Sequence, residues 1–282
     1  MKSILCVTDF STNSDHAFQY SLAIAKKTKA KVFLLHAYES PVAFTEMPLN
    51  AILDADVQIK RAAERKLEKM KNKASELFSS VPVLTMIEQG VASEQIIKAA
   101  EKHKTDMIAL GKSGTGKMER IFIGSTASKV IQHANCPVLC IPKGVKFDAL
   151  KKIVFATDLK EDNLTAAVDL ADFAKLFQAE IVFIFVDDKH IIHSDEKIVD
   201  MTKKIKSRVK YPKISGYICK NTDISNGIDF FLKHHSADLL AMFTHKKTFP
   251  ASLFHPSITK SMASKAKLPL LVLERSERTV LS

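Results

Sequence analysis

Four of the chain's eight glycines stand close together: Gly111, Gly114, Gly116 and Gly124 lie within DMIALGKSGTGKMERIFIGST, the stretch from Asp106 to Thr126. Glycine takes positive φ without steric cost and lets a bound group come close to the backbone. Upstream, Met107 to Leu110 is an apolar run that reads as a buried strand. Downstream, Ser125, Thr126 and the apolar-periodic Val130 and Ile131 read as the opening of a helix. Strand, glycine loop and helix N-terminus together make an anion cradle, because the unpaired N–H groups and the dipole of the first helical turn favour negative charge. The chemistry this implies is binding of a nucleotide through its phosphates; the structural alternative is a glycine-rich surface turn.

Two patterns compete for the loop. Gly111-Lys-Ser-Gly-Thr-Gly116-Lys117 fills seven positions of a P-loop, but the eighth, which must be Ser or Thr to reach magnesium, is Met118. A P-loop also enters its helix at once, whereas here the Gly-Ser-Thr helix start comes only at Gly124. The pattern Gly111-x2-Gly114-x9-Gly124-Ser125 is met in full. That spacing resembles the ATP-binding signature of the universal stress protein family.

The resemblance implies a site made from several strand ends. Asp9 with its neighbours Val7 and Thr8 would receive adenine and ribose, and Ala37 would line the base pocket. Leu110 and Gly111 at the fourth strand's end, with Gly114, Gly124, Ser125 and Thr126, would hold ribose and phosphates. The implied cofactor is ATP, with magnesium accompanying it as a phosphate-bound ion. Asp9 can accept bonds from ribose hydroxyls or the adenine amino group, but a helix cap or turn residue has the same identity. Lys112, Lys117 and Arg120 either neutralise phosphate or solubilise the loop. His36 reads as a core or strand-end histidine, and His190, His193, His234 and His235 read as surface histidines, since two imidazoles without a third ligand make no metal site.

The elements that must position these residues alternate regularly. Strands are expected at 3–9, 31–37, 82–87, 107–110 and 136–142. Helices are expected at about 15–27, 51–78, 94–103 (capped by Ser93) and from Gly124 to near Asn135. Such alternation predicts right-handed crossovers and a parallel sheet covered on both faces. In that class of fold, ligands settle beyond the carboxyl ends of the strands where strand order reverses.

After a connector at 143–150 the pattern begins again. KKIVFATDL (151–159) matches KSILCVTDF (2–10) and AEIVFIF matches AKVFLLH, both at an offset of 149. ADLLAMF matches TDMIALG and LPLLVLE matches CPVLCIP, both at an offset of 132, so the second copy is shorter between its second and fourth strands. The fold class expected is therefore α/β, two tandem doubly wound five-stranded parallel domains, Rossmann-like, spanning 1–143 and 150–276. In the second copy Phe243, Lys246 and Pro256 stand where Gly111, Gly114 and Gly124 do, so the scaffold is expected to persist without the cradle. A copy that keeps scaffold but not site suits docking, and the two halves are expected to pack as an intramolecular pseudo-dimer, with further homo-oligomers left open.

Length and composition agree. The chain's 282 residues suit two domains, and 46% apolar with 26% charged residues describes a globular protein. No apolar run approaches the ~20 residues that span a bilayer, and no secretory signal opens the chain, so the expectation is a cytoplasmic protein without a membrane partner. The net charge of +11 raises the question of nucleic acid. The lysines, however, are scattered along helical faces with acids nearby, and no nucleic-acid signature appears. The four cysteines sit in apolar contexts, where the thiol acts as a small hydrophobe. No nucleophile stands beside a base. Nucleotide binding in a regulatory, stress-response module is thus favoured over turnover, with slow ATP hydrolysis at the same loop and a ligand-free interaction scaffold as the alternatives.

Overall fold

The computed structural model of the protein describes residues 1–40, 49–111, 124–159, 162–188, 194–244 and 268–274. Gly114, Gly116, Lys112, Lys117 and Arg120 of the glycine loop lie outside these residues, as do His190, His193, Lys246 and Pro256.

The first half runs β1 (Ser3–Val7), α1 (Thr12–Thr28), β2 (Lys31–Tyr38), α2 (Leu49–Leu77), β3 (Val83–Gln89), α3 (Ala92–Lys102), β4 (Met107–Gly111), α4 (Ser125–His133) and β5 (Val138–Ile141). The second half repeats it as β6 (Lys152–Ala156), α5 (Asp162–Lys175), β7 (Glu180–Asp187), α6 (Ser194–Val209), β8 (Ile214–Lys220), α7 (Ile224–His234), β9 (Leu239–Thr244) and β10 (Leu270–Glu274). The shortening of the second copy falls on the helix after its second strand: α2 has 29 residues and α6 has 16.

Local chemistry sets the helix ends. Ser11 caps α1, its hydroxyl accepting from the Ser14 N–H at 3.2 Å, and Lys29 ends it in the left-handed region at φ 56°. The expected cap of α3, Ser93, is instead buried inside the helix, which opens at Ala92. The backbone decides this difference, because the Val91 carbonyl already accepts from the Glu94 and Gln95 N–H groups.

Strand order is β3-β2-β1-β4-β5-β10-β9-β6-β7-β8. Each half is a five-stranded parallel sheet, and the two edges meet in one antiparallel pair: Val138 opposite Val272, Leu139 opposite Leu271, Cys140 opposite Leu270. At the 132 offset Leu139 and Leu271 are equivalent positions, so the seam is isologous, as in a two-fold dimer. It also removes one edge from each sheet, leaving β3 and β8 outermost.

The core follows from the same arrangement. One apolar cluster runs through both halves on the face carrying α1 and α5, and smaller clusters lie under α3 and α4 and under α7. Phe147 in the connector packs edge-on to Tyr20 of α1, with centroids 5.1 Å apart, and 6.1 Å from Phe177 beyond α5. Each half repeats one device at the amino ends of its strands. Asp106 accepts from the Lys2 and Ser3 N–H groups, and Asp238 accepts from those of Lys151 and Lys152. Some lysines form helical pairs with acids, as Lys98 does with Glu94 and Lys204 with Asp200, and such exposed pairs stabilise by only a few tenths of a kcal/mol each.

All four cysteines are free thiols, and Cys6 and Cys140 are buried. Burial pushes the Cys6 thiol up to about 12, against a smaller opposing effect of its bond with Ser21. Since only the thiolate attacks a disulfide reagent, Cys6 is expected to stay unlabelled by an aromatic disulfide at pH 8 in the native protein and to react once urea unfolds it. Rapid native labelling of Cys6, read by peptide mass spectrometry, would contradict its place in the core.

Candidate functional site

The reversal of strand order lies at β1, which pairs with β2 on one side and β4 on the other. Parallel pairing brings the carboxyl ends of these strands to one edge: Val7 closing β1 with Thr8 and Asp9 just beyond it, Ala37 near the end of β2, and Leu110 and Gly111 closing β4. The chain then turns back as α4 before β5, which is parallel to β4, so the N-terminus of α4 lies at this same edge. Gly124 occupies its cap position without a side-chain cap, and Ser125 and Thr126 begin its first turn. Nine of the ten residues singled out from the sequence thus lie along one edge, and Gly114 is outside the described residues.

Most of the edge at β1 is already hydrogen-bonded within the protein. The buried Thr8 hydroxyl accepts from the Phe10 N–H at 3.0 Å and lies 3.1 Å from the Ser14 hydroxyl. The Thr8 N–H donates to Leu35 and its carbonyl accepts from His36 Nδ1 at 2.8 Å. Since a carbonyl can only accept, His36 donates a proton from Nδ1. Asp9 closes an Asx turn, accepting from the Ser11 N–H at 2.9 Å. Partial burial pushes its carboxyl up, but bonds from the Ser11 hydroxyl and backbone and from Ser14 outweigh that and leave it below the ordinary carboxylate range. Asp9 is thus an exposed anion held in place, serving the turn while keeping acceptor capacity for a ligand.

Three neighbours were not legible as site residues. Phe10 sits at φ 63°, a conformation that side chains other than glycine's seldom take, and its ring lies 4.2 Å from the His36 ring. Lys66 of α2 brings its ammonium to 5.0 Å from the Phe10 centroid, within reach of a cation–π contact. The second half repeats the turn: Leu159 has φ 61°, its N–H donates to the Thr157 hydroxyl at 3.1 Å, and the Thr157 N–H donates to Ile184. The strained turn is thus part of the scaffold, and the available signal was the match of Phe10 with Leu159 at the 149 offset. The carboxyl edge of the strands differs, because buried Phe185 stands where His36 does and buried Phe243 where Gly111 does.

Gly111 has a packing reason for lacking a side chain. A Cβ there would lie 2.9 Å from the Asn13 carbonyl oxygen and 3.1 Å from the Ser14 nitrogen, both backbone atoms of α1. Its close approach is therefore to the first turn of α1, the turn that also holds Thr8 and Asp9 in place. Among the described residues no group of three His, Cys, Asp or Glu side chains is arranged to hold a metal, and no helix is long and apolar enough to cross a membrane.

Comparison with known proteins places both halves. The universal stress protein family model matches residues 1–142 and again 149–274. A universal stress protein of Methanocaldococcus jannaschii is 34% identical over 147 residues, 51% of this chain and 84% of that protein. One from Thermus aquaticus is 31% identical over 140 residues, 50% of this chain and 98% of that protein. The whole two-half architecture matches the crystal structure of a universal stress protein from Archaeoglobus fulgidus with a TM-score of 0.77, covering 97% of this chain and 98% of that one at 19% identity, a likeness of fold. With the family pattern present in each half and the fold shared over nearly the full length, this chain belongs to the universal stress protein family.

Proposed function

We propose that the first half, residues 1–143, binds ATP with its accompanying magnesium, and that the second, residues 150–276, which lacks the glycine cradle, serves as a docking partner in a cytoplasmic regulatory module. The carrying observation is an asymmetry. Strand ends and a helix N-terminus converge at the switch point beside β1, and Gly111 and Gly124 of the signature belong to the first half alone, Phe243 and Pro256 holding the equivalent positions of the second, where Ser257 still answers Ser125.

The residues present suit the ligand. The first N–H groups of α4 and the hydroxyls of Ser125 and Thr126 match phosphate oxygens. The ionised Asp9 carboxylate matches ribose hydroxyls or the adenine amino group. Occupancy then alters how the protein meets itself or a partner.

The direct test is mass spectrometry of small molecules released from the denatured protein, with calorimetric titration of the stripped chain by ATP, ADP and AMP. One adenine nucleotide per chain is expected. Absence of any, together with no heat on titration, would overturn the proposal. Steady ATP turnover would move the reading toward an enzyme.

Gly124→Pro separates ligand from fold. Gly124 has φ −58°, a value proline adopts, so the substitution removes one N–H at the helix start without straining that residue. ATP affinity is expected to fall about tenfold or more, the loss of one charge-assisted bond, with thermal stability nearly unchanged. Undiminished affinity in a folded variant would contradict the role given to this helix end.

A further inference from the structure

The outer edge of the second half carries a groove that the nucleotide reading does not use. β8 is the outermost strand of the sheet, and α7 packs beside it, tied by a bond from the Cys219 thiol to the Gly227 carbonyl at 3.5 Å. Between them lies a cavity of about 340 Å³ lined along one side by Tyr217 to Asn221 and along the other by Phe230, Phe231 and His235. Its rings are ordered. His235 stacks on Phe231 at 4.2 Å, Tyr217 lies 5.5 Å from both, and Phe230 packs on His234 at 4.3 Å. Yet Tyr217 is 46% and Phe230 56% exposed.

The duplicate shows that the scaffold does not require these rings. At the equivalent positions of β3 and α3 the first half has Met86, Lys98 and Ala99 in place of Tyr217, Phe230 and Phe231. Aromatic surface on one copy alone, at a cost in exposed apolar area, is the mark of a contact.

The backbone defines the kind of contact. In the parallel ladder Ile181 donates to Lys213, and Ile181 lies opposite Ile214. Alternation along the strand then turns the N–H and C=O groups of Gly216, Ile218 and Lys220 away from β7. An edge strand with a helix beside it and an apolar slot between them is the geometry that receives an added strand, main chain to main chain, with alternate side chains entering the slot.

Charge narrows the partner. Lys220 of β8 lines the groove and Lys233 of α7 and Lys213 just before β8 are exposed near it, while Asp229 of α7 is buried. We propose that this groove binds an extended acidic peptide segment of a protein partner, adding it as a strand to β8 and taking an aromatic or aliphatic side chain between Tyr217 and Phe230.

The test uses the full chain and a fluorescein-labelled peptide of alternating glutamate with phenylalanine and leucine, read by fluorescence polarisation. Saturable binding is expected, weakened about tenfold by Phe230→Ser, a change at an exposed ring that leaves the melting temperature in place. The same peptide N-methylated at alternate residues is expected to bind about tenfold more weakly or not at all, since it cannot complete the ladder. No binding, or binding indifferent to Phe230→Ser or to N-methylation, would overturn the proposal. So would displacement of the peptide by a labelled oligothymidylate, which would assign the rings to base stacking, or a dimer that Phe230→Ser dissolves, which would assign the groove to a second copy. Adding ATP is not part of the assay, so failure here leaves the nucleotide proposal standing.

Discussion

Leu139→Asp is expected to leave no stably folded protein. Leu139 is fully buried in β5, on the seam strand, directly opposite Leu271 of β10. A carboxylate there has neither water nor a cation, and an unpaired buried charge costs several kcal/mol beyond the lost packing. Removing the side chain alone, in Leu139→Ala, is expected to cost about 2–5 kcal/mol. Set against a total stability of about 5–15 kcal/mol, the first change is decisive and the second survivable.

The effect is expected in both halves, because one apolar cluster runs across the seam. Hydrogen exchange of Leu139→Ala should speed up in β1 and in β6 together. Exchange confined to residues 1–142, or a Leu139→Asp protein that melts within a few degrees of the parent, would show that the halves are independent units that merely touch.

Gly111→Phe, which imports the second half's residue, is expected to damage fold and site at once. Its new Cβ meets the backbone of Asn13 and Ser14, so relief requires moving the start of α1 rather than rotating a side chain. Overpacking of this kind costs typically 1–3 kcal/mol, and in a chain of this size each kcal/mol lowers the melting temperature by roughly 2–4 °C. The displaced turn is the one in which Ser11 and Ser14 hold Asp9 and Thr8, so ATP affinity should fall with stability. Gly124→Pro should lose affinity alone, and the two variants together separate a scaffold glycine from a ligand glycine. A Gly111→Phe protein with unchanged melting and unchanged affinity would remove both roles.

Much of the architecture was legible because it is written twice. The repeat of KSILCVTDF as KKIVFATDL, and of TDMIALG as ADLLAMF, fixes the order of strands and helices more firmly than propensity, since two copies must satisfy one pattern. Apolar runs such as those of β1 and β4 read as strands because a parallel sheet buries both faces. Helix ends were less legible. Ser93 looked like a cap but is buried within α3, because capping by a side chain and capping by the Val91 carbonyl leave the same short polar sequence.

At the site, the sequence by itself determined the glycine spacing and its loss from the second copy, both being properties of residue identity at fixed intervals. It also placed Asp9, Ala37 and Gly111 within two residues of strand ends, because period and length bound each apolar run, although β1 ends at Val7 and β2 at Tyr38 rather than at Asp9 and Ala37. Only the tertiary structure decided which neighbours those residues have. That Gly111 faces the backbone of α1, that Asp9 closes a turn on Ser11, and that Phe10, His36 and Lys66 gather beside it depend on packing between elements distant in the chain. The joining of β5 to β10 into one ten-stranded sheet is of the same kind. A strand's sequence specifies which faces are buried, but both edges of a strand present the same backbone groups, so the choice of edge partner rests on the packing of whole halves.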